Sequence, residues 1–207
     1  MSQADIDAFV DSAGWFGSLT PEGVIASVER GIPVSGRHSE SGWTALHHAV
    51  SFRRRELVLA LSAAGADASA KNPFGETSVR LCAADGTADL LQVLIESGGN
   101  VNEPRHNGET PLMALVLWNT GDIAALLDVL LARADLDLDA TCEGKTAEQW
   151  AEETGYQDLA QAIAAERARR ARWGGFRSTC IAATVAAAAP RAAFCDHTYI
   201  SYDDEQT

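Results

Sequence analysis

The sequence predicts a repeat solenoid dominated by α-helices, and two features of the chain support that fold class. The first is a recurring phrase that begins with glycine and has threonine two residues later. Its glycines are Gly42, Gly75, Gly108 and Gly144. They are separated by 33, 33 and 36 residues, a nearly constant interval that indicates internal repeats. The second feature is an apolar stripe after each of the first three phrases, which a single repeat cannot bury, so neighbouring repeats are expected to stack.

Each repeat is predicted to consist of a hairpin turn, a short helix and a second helix. Threonine is expected to cap the first helices, because its hydroxyl can accept hydrogen bonds from the free amides of the first turn. The four capping residues are Thr44, Thr77, Thr110 and Thr146. Proline at position 111 fits the first helical position, where its missing amide hydrogen costs nothing. The apolar stripes mark the second helices, and they begin at Leu57, Leu90 and Ile123.

The repeats are predicted to fill residues 1–172. Their predicted bounds are 4–38, 39–71, 72–104, 105–140 and 141–172, with the first and last repeats as caps. The last repeat is polar on one side, as expected for a repeat that ends a stack. The pattern then stops, and residues 173–207 are of low complexity, which predicts a disordered C-terminal tail. The sequence leaves open that this tail is unrelated to the repeats.

Two of the phrases carry a family resemblance. Residues 42–49 read Gly-Trp-Thr-Ala-Leu-His-His-Ala, and residues 108–112 read Gly-Glu-Thr-Pro-Leu. Together with the interval near 33 residues, these phrases resemble the ankyrin-repeat family. The resemblance implies helix-turn-helix repeats joined by short β-hairpin turns. It also implies a concave, protein-binding face formed by hairpin tips and first helices, and a structural role for His47.

The candidate binding residues are those that the resemblance places at hairpin tips and at the ends of first helices. Large aromatic side chains at these positions supply rigid contact area of the kind enriched in binding hot spots. Carboxylates between them favour and steer a basic partner. The predicted partner-binding residues are Trp43, Phe52, Phe74, Glu76, Asp85, His106, Glu109, Trp118 and Glu143.

The charge of the chain agrees with that choice of partner. The formal net charge is −13 and the isoelectric point is about 4.7, so binding to nucleic acid or to an anionic membrane surface is not expected. The sequence shows neither a signal peptide nor an apolar run long enough for a membrane span, which predicts a cytoplasmic protein. Its four cysteines lack zinc-ligand spacing, so neither a metal nor a cofactor is expected. We expect a monomer.

The sequence contains no nucleophile elbow, phosphate loop or dinucleotide fingerprint, so no enzymatic activity is expected. The predicted function is a non-catalytic interaction module, an adaptor or an inhibitor, that binds a basic protein. One alternative is a bacterial immunity-type protein that neutralises a basic toxin. An alternative of another class is a metal- or thiol-dependent protein that uses the tail. The tail residues with suitable chemistry are Cys180, Cys195, Asp196 and His197.

Overall fold

A computed structural model of the protein describes residues 2–14, 17–119 and 121–173. Within these residues the fold is an all-helical repeat of ten α-helices, which confirms the predicted fold class. The helices are α1 (Gln3–Ala13), α2 (Pro21–Glu29), α3 (Ala45–Ser51), α4 (Arg55–Ala63), α5 (Ser78–Asp85), α6 (Ala88–Glu96), α7 (Pro111–Trp118), α8 (Ile123–Leu131), α9 (Ala147–Glu153) and α10 (Gln157–Trp173). Beyond position 173, the predicted tail with its cysteines and histidine lies outside the described residues. The bounds of the five repeats stay a prediction.

The helices alternate between two layers. In the first layer α3 packs against α1 and α5, α5 packs against α7, and α7 packs against α9. In the second layer α4 packs against α2 and α6, α6 against α8, and α8 against α10. The predicted apolar stripes form the core between the two layers. The largest fully buried side chains come mainly from the second helices, where these stripes lie. They include Leu57, Leu61, Leu90, Leu91, Leu94, Leu126, Leu127 and Leu130.

Threonine begins four of the five first helices, as the sequence predicts. In each case its side-chain oxygen accepts a hydrogen bond from the amide three residues later. The four residues are Thr44, Thr77, Thr110 and Thr146. Pro111 is the first residue of α7, also as predicted. Because each cap fixes where its helix starts, equivalent residues of successive repeats point in the same direction.

Short hairpins join consecutive repeats and stack on one another. Two of them form antiparallel bridges, between Arg37 and Thr44 and between Cys142 and Lys145. The second bridge encloses Glu143 and Gly144, both with positive φ, at 53° and 77°. This is the backbone twist that a two-residue hairpin favours. The hairpins therefore connect the repeats through isolated bridges and form no sheet in the described part of the chain.

Gly75 is required because the next hairpin approaches it closely. Its φ is +80°, and a Cβ at this position would lie 2.4 Å from Cδ2 of His106. Gly65 has almost the same φ, +82°, but no atom within 4 Å of the corresponding Cβ position. We expect Gly65→Ala to lower the free energy of unfolding by about 1–2 kcal/mol, the cost of a left-handed conformation. Gly75→Ala should lower it further because it adds the collision with the neighbouring hairpin.

Urea denaturation of both glycine variants and the unsubstituted chain measures this difference. Equal losses in the two variants would contradict the close approach of the hairpin that carries His106.

His47 joins two repeats from a fully buried position. Its Nδ1 accepts a hydrogen bond from the backbone amide of Thr44, at 3.2 Å, and lies 2.8 Å from the Thr44 hydroxyl. Its Nε2 lies 3.1 Å from the backbone oxygen of Glu76 in the next repeat and donates to it. The two contacts fix the neutral ring with its hydrogen on Nε2. The structural role predicted for His47 is confirmed.

Arginines of α10 fold back on the body of the protein. The Arg170 guanidinium donates to the backbone oxygens of Leu136, Leu131 and Arg133, at 2.6, 3.2 and 2.9 Å. These carbonyls lie at and just beyond the end of α8, where helices leave carbonyl groups unpaired. Burial raises the pKa of the adjacent Glu166, but hydrogen bonds from Arg169 and Arg170 outweigh it and leave that pKa below its usual value. The last helix is therefore held to the stack by charge-assisted contacts.

Candidate protein-binding face

The first-helix layer has one side that faces away from the second helices, and we call this side the open face. Phe52, Asp85 and Trp118 occupy equivalent positions on it, 33 residues apart, at the C-terminal ends of α3, α5 and α7. All three are exposed. Because α5 packs between α3 and α7, Asp85 lies between the two aromatic side chains. The structure thus brings together three of the predicted binding residues.

An aromatic row runs along α3 on the open face and ends at Phe52. The ring centroids of Trp43 and His48 are 4.9 Å apart. Those of His48 and Phe52 are 6.3 Å apart, with their planes within 4° of parallel. Burial lowers the pKa of His48, which favours the uncharged form of its ring. The row therefore presents an aromatic edge in which the His48 and Phe52 rings are parallel, the Trp43 ring is tilted, and Phe52 remains 39% exposed.

Trp118 combines an exposed ring with a buried hydrogen bond. Its side chain is 43% exposed, yet its indole Nε1 donates to Oε1 of Glu109 at 3.0 Å. Glu109 itself is buried, with only 3% of its side chain exposed. This is the arrangement typical of tryptophan at interfaces, with a large apolar ring in contact with solvent and a satisfied polar atom.

Glu76 and Glu109 belong to a buried ion cluster around Arg80. The Arg80 guanidinium contacts both carboxylates, with Nη1 at 2.7 Å from Oε1 of Glu76 and Nη2 paired with Oε1 of Glu109. Only 5% of the Arg80 side chain is exposed. Arg105 lies close by, with Nε 3.7 Å from Oε1 of Glu76. The cluster joins the third and fourth repeats, and its carboxylates point inward to their own counter-charge.

Asp85 also has an internal cationic partner. Arg53, in the connection between α3 and α4, donates through Nε to the Asp85 backbone oxygen at 2.8 Å and pairs with its carboxylate. The pair is largely exposed, so solvent weakens it and a partner can compete for either charge. Asp85 remains accessible on the open face, with a local charge that is partly compensated.

The remaining predicted residues lie on the hairpins. Phe74 is 50% exposed, and its amide donates to Oδ1 of Asn72 at 2.9 Å. His106 is exposed and packs beside Gly75 of the preceding hairpin. Glu143 is exposed in the two-residue turn of the last hairpin. Phe74 and Glu143 are therefore available for contact, while one side of His106 is occupied by its neighbour.

Arg80 shapes this face but was not among the predicted binding residues. Its position carried a signal, because it lies 33 residues after His47 and so occupies the equivalent position of the next repeat. A charged residue at a position that is buried in one repeat indicates a buried counter-charge in the next. The carboxylates at the equivalent positions of Glu76 and Glu109 supply it. Because the sequence does not show this pairing between repeats, Glu76 and Glu109 were expected to be surface charges.

Two features of the described residues concern metal binding and thiol chemistry. Among them, no group of three or more histidine, cysteine or acidic side chains could hold a metal ion. Burial raises the pKa of Cys82 to about 12, so its thiol is not a nucleophile at neutral pH. The tail cysteines and histidine of the metal alternative lie outside the described range. Of the helices in that range, none has the length and apolar character needed to cross a bilayer.

Known proteins similar to this chain share its repeats. The family described as "Ankyrin repeats (3 copies)" matches residues 79–170, and "Ankyrin repeats (many copies)" matches residues 28–82. The chain is 29% identical over 85 residues to SH3 and multiple ankyrin repeat domains protein 2 of Homo sapiens. It is 31% identical over 85 residues to the Neurogenic locus Notch protein of Drosophila melanogaster. It is 37% identical over 73 residues to Neurogenic locus notch homolog protein 1 of Xenopus tropicalis.

These three alignments cover 35–41% of this chain but only 3–5% of the relatives. The likeness is therefore to the repeat region of much longer proteins. The glycine-threonine phrases, the stacked helix pairs and the matches from residue 28 to residue 170 agree with one another. The chain belongs to the ankyrin-repeat family, whose repeats are protein–protein interaction modules.

Proposed function

We propose that the protein acts as a non-catalytic adaptor or inhibitor and binds a protein partner on its open face, the predicted concave face. The observation that carries this proposal is the exposure of Phe52 and Trp118 at equivalent positions, with a third exposed aromatic residue, Phe74, on a hairpin. Large aromatic side chains are costly to expose and are enriched in binding hot spots. Ankyrin repeats are typically non-catalytic, which agrees with this role.

The partner is proposed to be a basic protein. The net charge of −13 supports this, because a strongly acidic protein attracts basic partners and repels polyanions such as nucleic acid. The ion cluster around Arg80 changes how the charge would act. Glu76 and Glu109 are internally paired, so attraction would come from the overall field and from exposed carboxylates such as Glu143. We also propose that the protein is monomeric and cytoplasmic.

Affinity capture from a lysate of the source organism tests this proposal. We expect the immobilised protein to retain a basic protein, and Trp118→Ala to weaken the binding by roughly 30-fold, the loss typical of a hot-spot residue. Ile25→Ala is the matched control, because Ile25 is 60% exposed but belongs to α2 in the second layer. It should leave the binding unchanged.

Two results would contradict the proposal. Equal losses from Trp118→Ala and Ile25→Ala would exclude the open face as the specific site. An affinity that does not fall with added salt would exclude a partner attracted by charge. Very tight binding to a single basic toxin would favour the bacterial immunity-type alternative over a general adaptor.

A further inference from the structure

We propose that Glu109 is a positioning residue, which holds the exposed ring of Trp118 in one orientation by accepting its indole hydrogen. The inference deepens the proposed function, because it concerns how a side chain of the binding face is presented. It also makes a claim about the unbound protein, so it can be tested before a partner is known.

The hydrogen bond reaches from one end of α7 to the other. Glu109 immediately precedes Thr110, the N-cap of α7, and Trp118 is the last residue of that helix. Side chains on a helix lean towards its N-terminus, so the Trp118 ring lies back along the open face of α7. The distance of 3.0 Å between Nε1 and Oε1 gives this orientation a specific polar contact at its far end. The exposed part of the ring is thereby fixed relative to the helix.

Glu109 can hold the ring because it is itself held by Arg80. The same oxygen, Oε1, accepts from Arg80 Nη2 and from the Trp118 indole. The Arg80 guanidinium is fixed in turn by Glu76 on its other side. Turning the Glu109 carboxylate away would leave a buried cation with one partner fewer, which is strongly unfavourable. The acceptor for the indole is thus anchored in the core.

The backbone after Trp118 is fixed by a second contact. Asn119 is buried, and its Nδ2 donates to the backbone oxygen of Ala83 in α5 at 3.1 Å. Its Oδ1 accepts from the amide of Gly121 at 2.7 Å. The end of α7 is therefore tied to the preceding repeat, while the ring is tied to Glu109. With both its backbone and its ring constrained, Trp118 loses little freedom on binding.

This pre-organisation has a consequence for affinity. Ordering a mobile side chain on binding weakens association by roughly twofold to tenfold. A tryptophan that is already ordered avoids that loss. The Phe52 side chain, at the equivalent position of α3, has no polar atom, and its ring stacks on that of His48. The two aromatic residues of the open face are therefore positioned by different contacts, Trp118 by a hydrogen bond to a carboxylate and Phe52 by ring stacking.

Indole N–H signals in NMR spectra of ¹⁵N-labelled protein test the proposal directly. Each tryptophan gives one signal, and Trp118→Phe identifies the one from Trp118. We expect this signal to exchange with solvent more slowly than a free indole by a factor of roughly ten or more. In Glu109→Ala its position should shift and its protection should be lost. In Glu109→Gln, which retains an oxygen acceptor, part of the protection should return.

The indole signal of Trp150 is the internal control, because this residue lies on α9, outside the cluster. It should stay in place in every variant. An unprotected Trp118 signal in the unsubstituted chain would overturn the proposal, even if Glu109→Ala does not fold. So would an unchanged signal in folded Glu109→Ala, or a parallel change in Trp150, which would indicate a general structural disturbance. Failure of the proposed function would appear separately, as capture unaffected by Trp118→Ala.

Discussion

Replacing Arg80 with methionine should lower the free energy of unfolding by about 3–5 kcal/mol. The substitution removes the cation that Glu76 and Glu109 share, and both carboxylates have little access to water. Glu109 is left without a cation, and Glu76 keeps only the more distant Arg105. A buried charge without its partner keeps the full penalty of desolvation and regains nothing from pairing. Methionine is the informative replacement because Met113 occupies the equivalent position of the next repeat, where it is buried.

Urea denaturation monitored by circular dichroism measures the loss. Arg53→Met is the matched control, because it breaks an exposed ion pair with Asp85 and should cost less than about 1 kcal/mol. Adding Glu76→Gln and Glu109→Gln to Arg80→Met removes both buried carboxylate charges and should restore much of the stability. If Arg80→Met costs no more than Arg53→Met, the cluster does not stabilise the fold in the way its burial indicates.

The fold could be predicted from the sequence because its determinants are local. Thr110 and Pro111 mark the start of a helix by their own hydrogen-bonding and backbone properties. The leucines after position 90 mark a buried face by their spacing. Each of these signals lies within a few residues, and the repeat interval shows how the units stack. The structure therefore agrees with the predicted fold class. It also agrees with the predicted starts of the helices that follow the threonine caps and with the predicted position of the core.

The charges of the binding face were harder to predict because they depend on contacts between repeats. Glu109 follows a hairpin glycine, as Trp43 and Lys145 do at the equivalent positions. Only the presence of Arg80, 29 residues earlier in the chain, turns it inward. The pattern within one repeat does not reveal that pairing. The aromatic residues were easier, because large aromatic side chains at the ends of first helices can be recognised from the repeat pattern, and Phe52 and Trp118 are 39% and 43% exposed there.

The ion cluster also changes how the acidity of the chain relates to binding. Formal charge counts Glu76, Glu109 and Asp85 as three charges available to a basic partner. In the structure the first two are paired with Arg80 and the third with Arg53. For the proposed basic partner, charge complementarity would therefore act mainly through long-range attraction, which raises the association rate. The specific contacts would fall to the aromatic side chains, whose loss should mainly raise the dissociation rate.

Lowering the pH from 7 to 4.5 should destabilise the protein by about 2 kcal/mol through His47 alone. Burial lowers the pKa of His47 from 6.5 to about 4. Below pH 6.5 the unfolded chain therefore binds a proton that the folded protein excludes, and stability falls as the pH falls. The loss grows to about 3 kcal/mol below pH 4, where the folded protein is protonated too. Burial of His48 shifts its pKa in the same direction and adds to the effect.

The pH window separates His47 from three aspartates whose pKa values are lowered in the folded protein. Hydrogen bonds lower the pKa values of Asp5, Asp7 and Asp135 below 3.8, so their contributions are lost mainly below the range that the histidine controls. The variant that isolates His47 is His47→Gln. Gln149 occupies the equivalent position of the last repeat, where its side-chain oxygen accepts the amide of Thr146 at 2.9 Å. Glutamine can therefore replace the capping contact without titrating.

Urea denaturation of the unsubstituted protein and of His47→Gln, each at pH 7 and at pH 4.5, measures the contribution. His47→Gln should be less stable at pH 7, because it loses the contact between His47 and the Glu76 backbone oxygen. Its stability should then fall by about 2 kcal/mol less than that of the unsubstituted protein when the pH is lowered. Equal losses in the two proteins would mean that protonation of His47 is not what the folded state resists. The acid sensitivity would then have to come from other groups, of which His48 is the first to substitute.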